Sequence, residues 1–179
     1  MKRGHKLFLI VLLQIIFLFG MIGFKYYTLH FGAQVLLKTM PVDPWDMFRG
    51  EYVRLGYEIS SIKSGSLEDN LFSPGRENDI ERGSVKNQTV YVVLEKKDKY
   101  WGAVSIWDKK PQLKDGQVLI KGRLQYYDPG RAEYRLTYGI ESYYVPEGEG
   151  KKLERQRSLD VLVRIDGFGN AVIDRVDTE

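Results

Sequence analysis

The chain has 179 residues, a formal net charge of +3, no cysteine and two histidines. Lys2, Arg3, Lys6 and Lys25 lie in or beside one apolar segment, and beyond residue 30 there are 23 basic against 24 acidic residues. Nucleic acid is therefore excluded as a partner, because a domain that binds it carries a basic surplus.

The absence of cysteine excludes thiol catalysis, thiolate metal sites and a lipobox. Histidine occurs only as His5 and His30, outside the candidate domain core. That excludes Ser-His-Asp catalysis and the usual histidine-based metal centres, and no cofactor or metal is expected.

Leu7 to Phe24 reads LFLIVLLQIIFLFGMIGF, 18 residues with no charge. As a helix it would span roughly 27 Å, near the thickness of a hydrocarbon core. Lys25 ends the run, and Tyr26 and Tyr27 follow where an interfacial aromatic belt would sit. The run is longer than a signal-peptide core and lacks a small-x-small cleavage site, which favours an uncleaved anchor. The expected division is a cytosolic N-terminus (1–6), a transmembrane anchor (7–27) and an extracytoplasmic domain (28–179). The basic residues before the span set this orientation. The location this implies is the cytoplasmic membrane, and the expected first partner is the lipid bilayer, through residues 7–27.

Past the anchor the pattern alternates with period two, broken by turn formers. Ala33–Met40 is predicted as the first strand. In Glu51–Ser60, Val53, Leu55, Tyr57 and Ile59 share one face. The polar stretch Ser60–Gln88 reads mainly as a long loop. Val90, Val92 and Leu94 mark the next strand. Tyr100, Val104 and Ile106 oppose Trp101, Ala103 and Trp107 in the one after. Val118, Ile120, Leu124 and Tyr126 share a face, as do Tyr134, Leu136, Tyr138 and Ile140. Asp160–Ile165 and Ala171–Val176 read as a hairpin around Asp166-Gly167-Phe168-Gly169-Asn170, and Lys151–Arg157 as a helical turn. The expected fold is mainly β: an N-terminal transmembrane helix followed by an antiparallel sandwich or barrel-like domain.

Pro41–Tyr57 (PVDPWDMFRGEYVRLGY) stands out. Asp43 can cap a helical turn, Pro44 fits its first position, and Gly50 can end it in a left-handed conformation. On these grounds the segment is a structural corner. The sequence here resembles the GDYXXLXY-type membrane-anchored proteins of bacteria. Gly50, Tyr52, Leu55 and Tyr57 match within GEYVRLGY, and Pro41, Asp43, Pro44 and Arg49 match the lead-in. Tyr138, Gly139 and Glu141, followed by Tyr143, Tyr144 and Glu147-Gly148, match the second landmark. The family aspartate is Glu51 here. The resemblance covers nearly the whole chain. It implies an anchored domain in the bacterial envelope and suggests a polytopic membrane protein as partner, but it supplies no reaction.

Asp43, Asp46 and Glu51 near Arg49 and Arg54 could hold a hard cation, though capping and surface pairing account for them better. Tyr91, Trp101, Trp107, Tyr126, Tyr127, Tyr143 and Tyr144 could line a glycan or lipid groove, though strand-spaced aromatics are mostly core or cross-strand pairs. Two functional readings stand. The first is a non-enzymatic, membrane-tethered binding or scaffold domain. The alternative is an envelope hydrolase using carboxylates or a Ser/Thr-Lys pair, with Thr39 as a candidate hydroxyl.

Overall fold

The computed structural model describes residues 3–40, 52–65, 68–71, 87–144 and 159–178. The chain opens with a helix, α1 (Arg3–Phe31), which continues past the apolar run. Its 29 residues span roughly 43 Å. Its most apolar 18-residue window has a mean hydropathy of 2.8, and the helix is long and apolar enough to cross a membrane. Every side chain from His5 to Tyr27 is exposed, so no described part of the chain covers the apolar run. At Thr28 this changes abruptly, for that residue is fully buried.

The remainder is mainly antiparallel β, in a nearly closed, barrel-like sheet. One residue, Gly32, separates α1 from β1 (Ala33–Met40). The first part of β1 pairs with β11 (Leu159–Ile165), and its end pairs with β3 (Gly56–Tyr57). β12 (Ala171–Thr178) completes a four-stranded sheet ordered β12-β11-β1-β3. The larger sheet runs β4 (Ser61–Lys63), β9 (Glu133–Thr137), β8 (Gln117–Asp128), β6 (Thr89–Lys97), β7 (Tyr100–Trp107), β5 (Glu68–Asn70). A separate pair joins β2 (Tyr52–Arg54) to β10 (Ser142–Tyr144). Among the described residues only β5 and β7 pair in parallel.

The inward faces of the sheets make one core. Val35 and Leu37 of β1 and Val161 and Val163 of β11 cluster with Val92 and Leu94 of β6, Ile106 of β7 and Ile120 of β8. Each such side chain contributes about 1.5–3 kcal/mol by leaving water. Alternation in β1 and in Tyr134–Ile140 follows the predicted pattern, with Tyr134, Leu136, Tyr138 and Ile140 all buried.

The structure departs from the predicted pattern at four places. Glu51–Ser60 is not one strand: the chain breaks at Leu55 and enters a 3₁₀ turn at Glu58–Ser60. This turn carries it from β3 to β4, from one sheet to the other. In β7, Val104 is an extra residue, since Val93 pairs with Ser105 and Leu94 with Ala103. The bulge switches the faces, so Trp101 and Ala103 pack against the same core as Ile106. A second bulge at Gln125 of β8 turns Tyr126 outward. Finally, the polar stretch after Ser60 contains β4 and β5, which carry little apolar signal because they lie at the sheet edges. The predicted helical turn at Lys151–Arg157 lies outside the described residues.

Tyr138 lies across β8 at Gly122, where a Cβ would stand 3.0 Å from its ring. By strand propensity alone, Gly122→Val should stabilise. The close approach reverses the sign: we expect a loss of about 1–3 kcal/mol from overpacking, measurable by chemical denaturation. A gain in stability would show that the ring has room to move.

Candidate functional site

The two landmarks of the signature, about eighty residues apart in sequence, lie side by side. In the backbone, Tyr52 pairs with Tyr144, Val53 with Tyr143 and Arg54 with Ser142. The Leu55 amide then donates to the Glu141 carbonyl at 2.8 Å. Beyond that point the side chains take over. The Tyr57 hydroxyl donates to the Ile140 carbonyl at 2.6 Å, and the Tyr138 hydroxyl donates to the Ile59 carbonyl, also at 2.6 Å. Tyr57 thus satisfies a backbone oxygen of the second landmark, and Tyr138 one just past the first.

Glu141 stabilises the second landmark from within. Its carboxylate accepts the Gly139 amide at 2.9 Å and the Tyr138 amide at 2.5 Å. Gly139 has φ +79°, the left-handed region that this turn requires and glycine adopts freely. Burial, and secondarily the charge of Glu141, push both tyrosine hydroxyls far above the usual phenol range. They are permanent neutral donors and poor nucleophiles or bases. Pro41, Asp43, Pro44, Arg49, Gly50 and Glu51 lie outside the described residues, as do Asp46 and the predicted helical turn.

The candidate hydrolase hydroxyl has a structural task. Thr39 is buried, donating to the Leu159 carbonyl at 2.9 Å and accepting the Leu159 amide at 2.7 Å. It therefore bridges β1 to β11, and both of its hydrogen bonds go to backbone, not to a lysine that could act as base. Ser60 Oγ is buried with no hydrogen-bond partner among the described residues, so none of them is placed to activate it. No group of three or more potential metal ligands occurs among the described residues.

Two clusters are not apparent from the sequence. The first centres on Asp160 of β11, which is 6% exposed. Tyr100 donates to its Oδ1 at 2.8 Å, and the Lys99 ammonium lies 2.5 Å from its Oδ2. Burial alone would raise the Asp160 carboxyl, but the Lys99 and Tyr100 hydrogen bonds and the charges of Lys99 and Lys38 outweigh it and lower it. The hydrogen bond to Asp160 raises both Tyr100 and Lys99. At neutral pH the cluster is a carboxylate, an ammonium and a neutral phenol.

Two hollows flank this cluster, and Trp101 lines both. One, of about 550 Å³, is bounded by Gln34, Lys96, Asp160, Arg175 and Asp177. The other, of about 450 Å³, lies between β1, β4 and β7 and is bounded by Lys38, Glu58, Lys63, Lys97, Tyr100 and Glu133. Of the aromatics considered for a groove, Trp101 alone lines these hollows. Tyr127 packs at a tilt against Tyr134 with centroids 5.1 Å apart, Trp107 bonds Ser105, and Tyr126 and Tyr144 point outward.

The second cluster joins α1 to the β11–β12 hairpin. Thr28 Oγ1 donates to Asp166 Oδ2 at 3.1 Å. Asp166 Oδ1 accepts the Phe168 and Asn170 amides, each at 2.9 Å, and the Asn170 side-chain amide bonds both carboxylate oxygens. Arg164 reaches the Gly32 carbonyl at 3.4 Å, and the Lys121 amide donates to the Gly169 carbonyl at 2.8 Å. One carboxylate thus organises the hairpin loop and fixes it to the end of the helix. Burial would raise Asp166, but these hydrogen bonds, led by those from Asn170, together hold it below the usual carboxylate range. In sequence Asp166 reads only as a turn former and Thr28 as a polar residue past the apolar run. Their separation, 138 residues, hides the contact.

A family model described as GDYXXLXY protein matches residues 14–176. No curated protein and no solved structure matches the chain.

Tyr57→Phe and Tyr138→Phe should each cost about 1–3 kcal/mol, because each strands a buried carbonyl. The two losses should couple by about 0.5–3 kcal/mol in a double-mutant cycle, since both bonds close one seam. Additive losses would mean the bonds act separately.

Asp166 gives a pH signature. Its folded value lies below the unfolded one, so its contribution is complete above about pH 4 and disappears as pH falls through the folded value. The stability gap between the native chain and Asp166→Asn should therefore be widest at neutral pH and shrink in acid, as followed by urea melts. A pH-independent gap would contradict the assignment.

Proposed function

The chain belongs to the GDYXXLXY protein family, and from that premise we propose that it is a single-pass membrane protein whose β domain binds or scaffolds a partner. In this reading α1 stays in the cytoplasmic membrane with its basic N-terminus in the cytosol. The domain works at the outer face beside a polytopic membrane protein of the bacterial envelope.

The observation that carries the proposal is the joint at Thr28. A signal segment destined for removal has no reason to contribute a fully buried, hydrogen-bonded side chain to the mature domain. A loose tether has no reason to hold its domain by Asp166 and Arg164 at once. A docked helix end instead fixes the orientation of the domain above the bilayer, which is useful when a surface must face a membrane-embedded partner. The hollows around Trp101 are the surface we assign to that partner. They set the Trp101 ring within a charged rim that includes Lys38, Glu58, Lys96 and Lys97, the aromatic anchor and polar rim of a protein-binding surface.

The full chain, isolated from its native membrane in mild detergent, should carry one membrane protein in near-stoichiometric amount. A photo-cross-linking residue in place of the exposed Lys97 should capture that same protein. A chain that runs alone and captures nothing would overturn the reading.

A further inference from the structure

The apolar run of α1 ends at Phe24, and Thr28 lies roughly 6 Å further along the helix axis. A bilayer has an interfacial layer of roughly 5–8 Å on each side of its hydrocarbon core. With the run in the core, Thr28 stands at the outer edge of that layer. The β11–β12 loop is fixed at this level by the Thr28–Asp166 hydrogen bond.

The direction of the loop follows from the topology. β1 leaves the helix at Ala33, and β11 runs antiparallel to it, with Ile165 opposite Ala33. β11 therefore returns toward the helix, and the loop after it reaches back alongside the last helical turn. Phe168 sits at the tip of this loop, 66% exposed. It is a large apolar side chain that the domain does not cover. Lys110 donates to the Gly167 carbonyl at 2.8 Å, and its ammonium lies 5.8 Å from the Phe168 ring centroid. Tyr27 and Phe31, stacked on α1 with centroids 5.0 Å apart, are also exposed near this level.

We propose that the β11–β12 hairpin tip is a second membrane contact, with Phe168 inserted into the interfacial layer of the bilayer that α1 crosses and Lys110 directed to lipid phosphate. The inference rests on the reading of α1 as a membrane anchor. An aromatic ring and a cation with a long apolar stem are the pair of groups that suits this layer. The domain then meets the membrane at two points, helix and hairpin, and cannot swivel about α1. Asp166 acts as a positioning residue, tying the two points to each other.

The chain has no cysteine, so Phe168→Cys offers a unique site for an environment-sensitive fluorophore. Full-length protein would be placed in nanodiscs of phosphatidylcholine and phosphatidylglycerol. The control is Tyr126→Cys, an exposed site five residues, or roughly 17 Å, along β8 from the Lys121 contact with the hairpin loop. The label at 168 should emit to the blue of the control and lose most of its quenching by aqueous acrylamide. Equal quenching at both sites would overturn the inference. Lys110→Glu should restore quenching at 168, and no change would remove Lys110 from the contact. A label at Ile15→Cys separates the two readings. If 15 is protected and 168 is quenched, the hairpin contact fails and the anchor stands; if 15 is quenched, both fail.

Discussion

The reciprocal hydrogen bonds of Tyr57 and Tyr138 are the constraint on which the rest of the domain depends. The chain must pass from the β1–β3 edge to the larger sheet, and it does so through the 3₁₀ turn at Glu58–Ser60. A turn between sheets leaves backbone oxygens without ladder partners, and in a core such oxygens must be satisfied. Tyr138 serves the Ile59 carbonyl and Tyr57 the Ile140 carbonyl, so two irregular segments complete each other. With no cysteine, no disulfide can do this work. Phenylalanine would fill the same volume but leave both carbonyls bare. Tyr57 and Tyr138 thus have a physical explanation that invokes no catalysis.

The same economy governs the other polar groups of the interior. Thr39 closes two bonds with Leu159, Asp160 holds Lys99 and Tyr100, and Asp166 takes the Thr28 hydroxyl together with the Phe168 and Asn170 amides. Each joins segments remote in sequence. In the proposed setting these polar ties do more than stabilise. They fix the position of Trp101 and its two hollows relative to the helix, so that one orientation of the binding surface is presented.

The alternation of Val35, Leu37, Val161 and Val163 is readable directly, because each residue keeps the same face throughout its strand. Strict period two fails wherever a bulge intervenes, as for Trp101 and Ala103 across Val104, and for Tyr126 beyond Gln125. A bulge adds one residue without changing composition, so pattern alone does not register it. The apolar helix is legible from its length and its lack of charge. Its continuation to Phe31 is less so, since the last turn is stabilised by the hairpin and not by its own hydropathy. Leu55, Tyr57, Tyr138, Gly139 and Glu141 stand out together as signature residues, but their mutual bonding does not. About eighty residues of chain separate the two landmarks, and only the folded chain shows that each closes the other.

One consequence of the joint is mechanical. A pull on α1 enters the domain at Ala33 and travels along β1, which is held by β11 over most of its length and by β3 at its end. Ladder hydrogen bonds lie across the strands, so a load directed along β1 strains many of them at once. The strand is sheared, not unzipped. A load that draws the domain away from its helix along β1 would therefore meet the sheet in the direction in which it resists best.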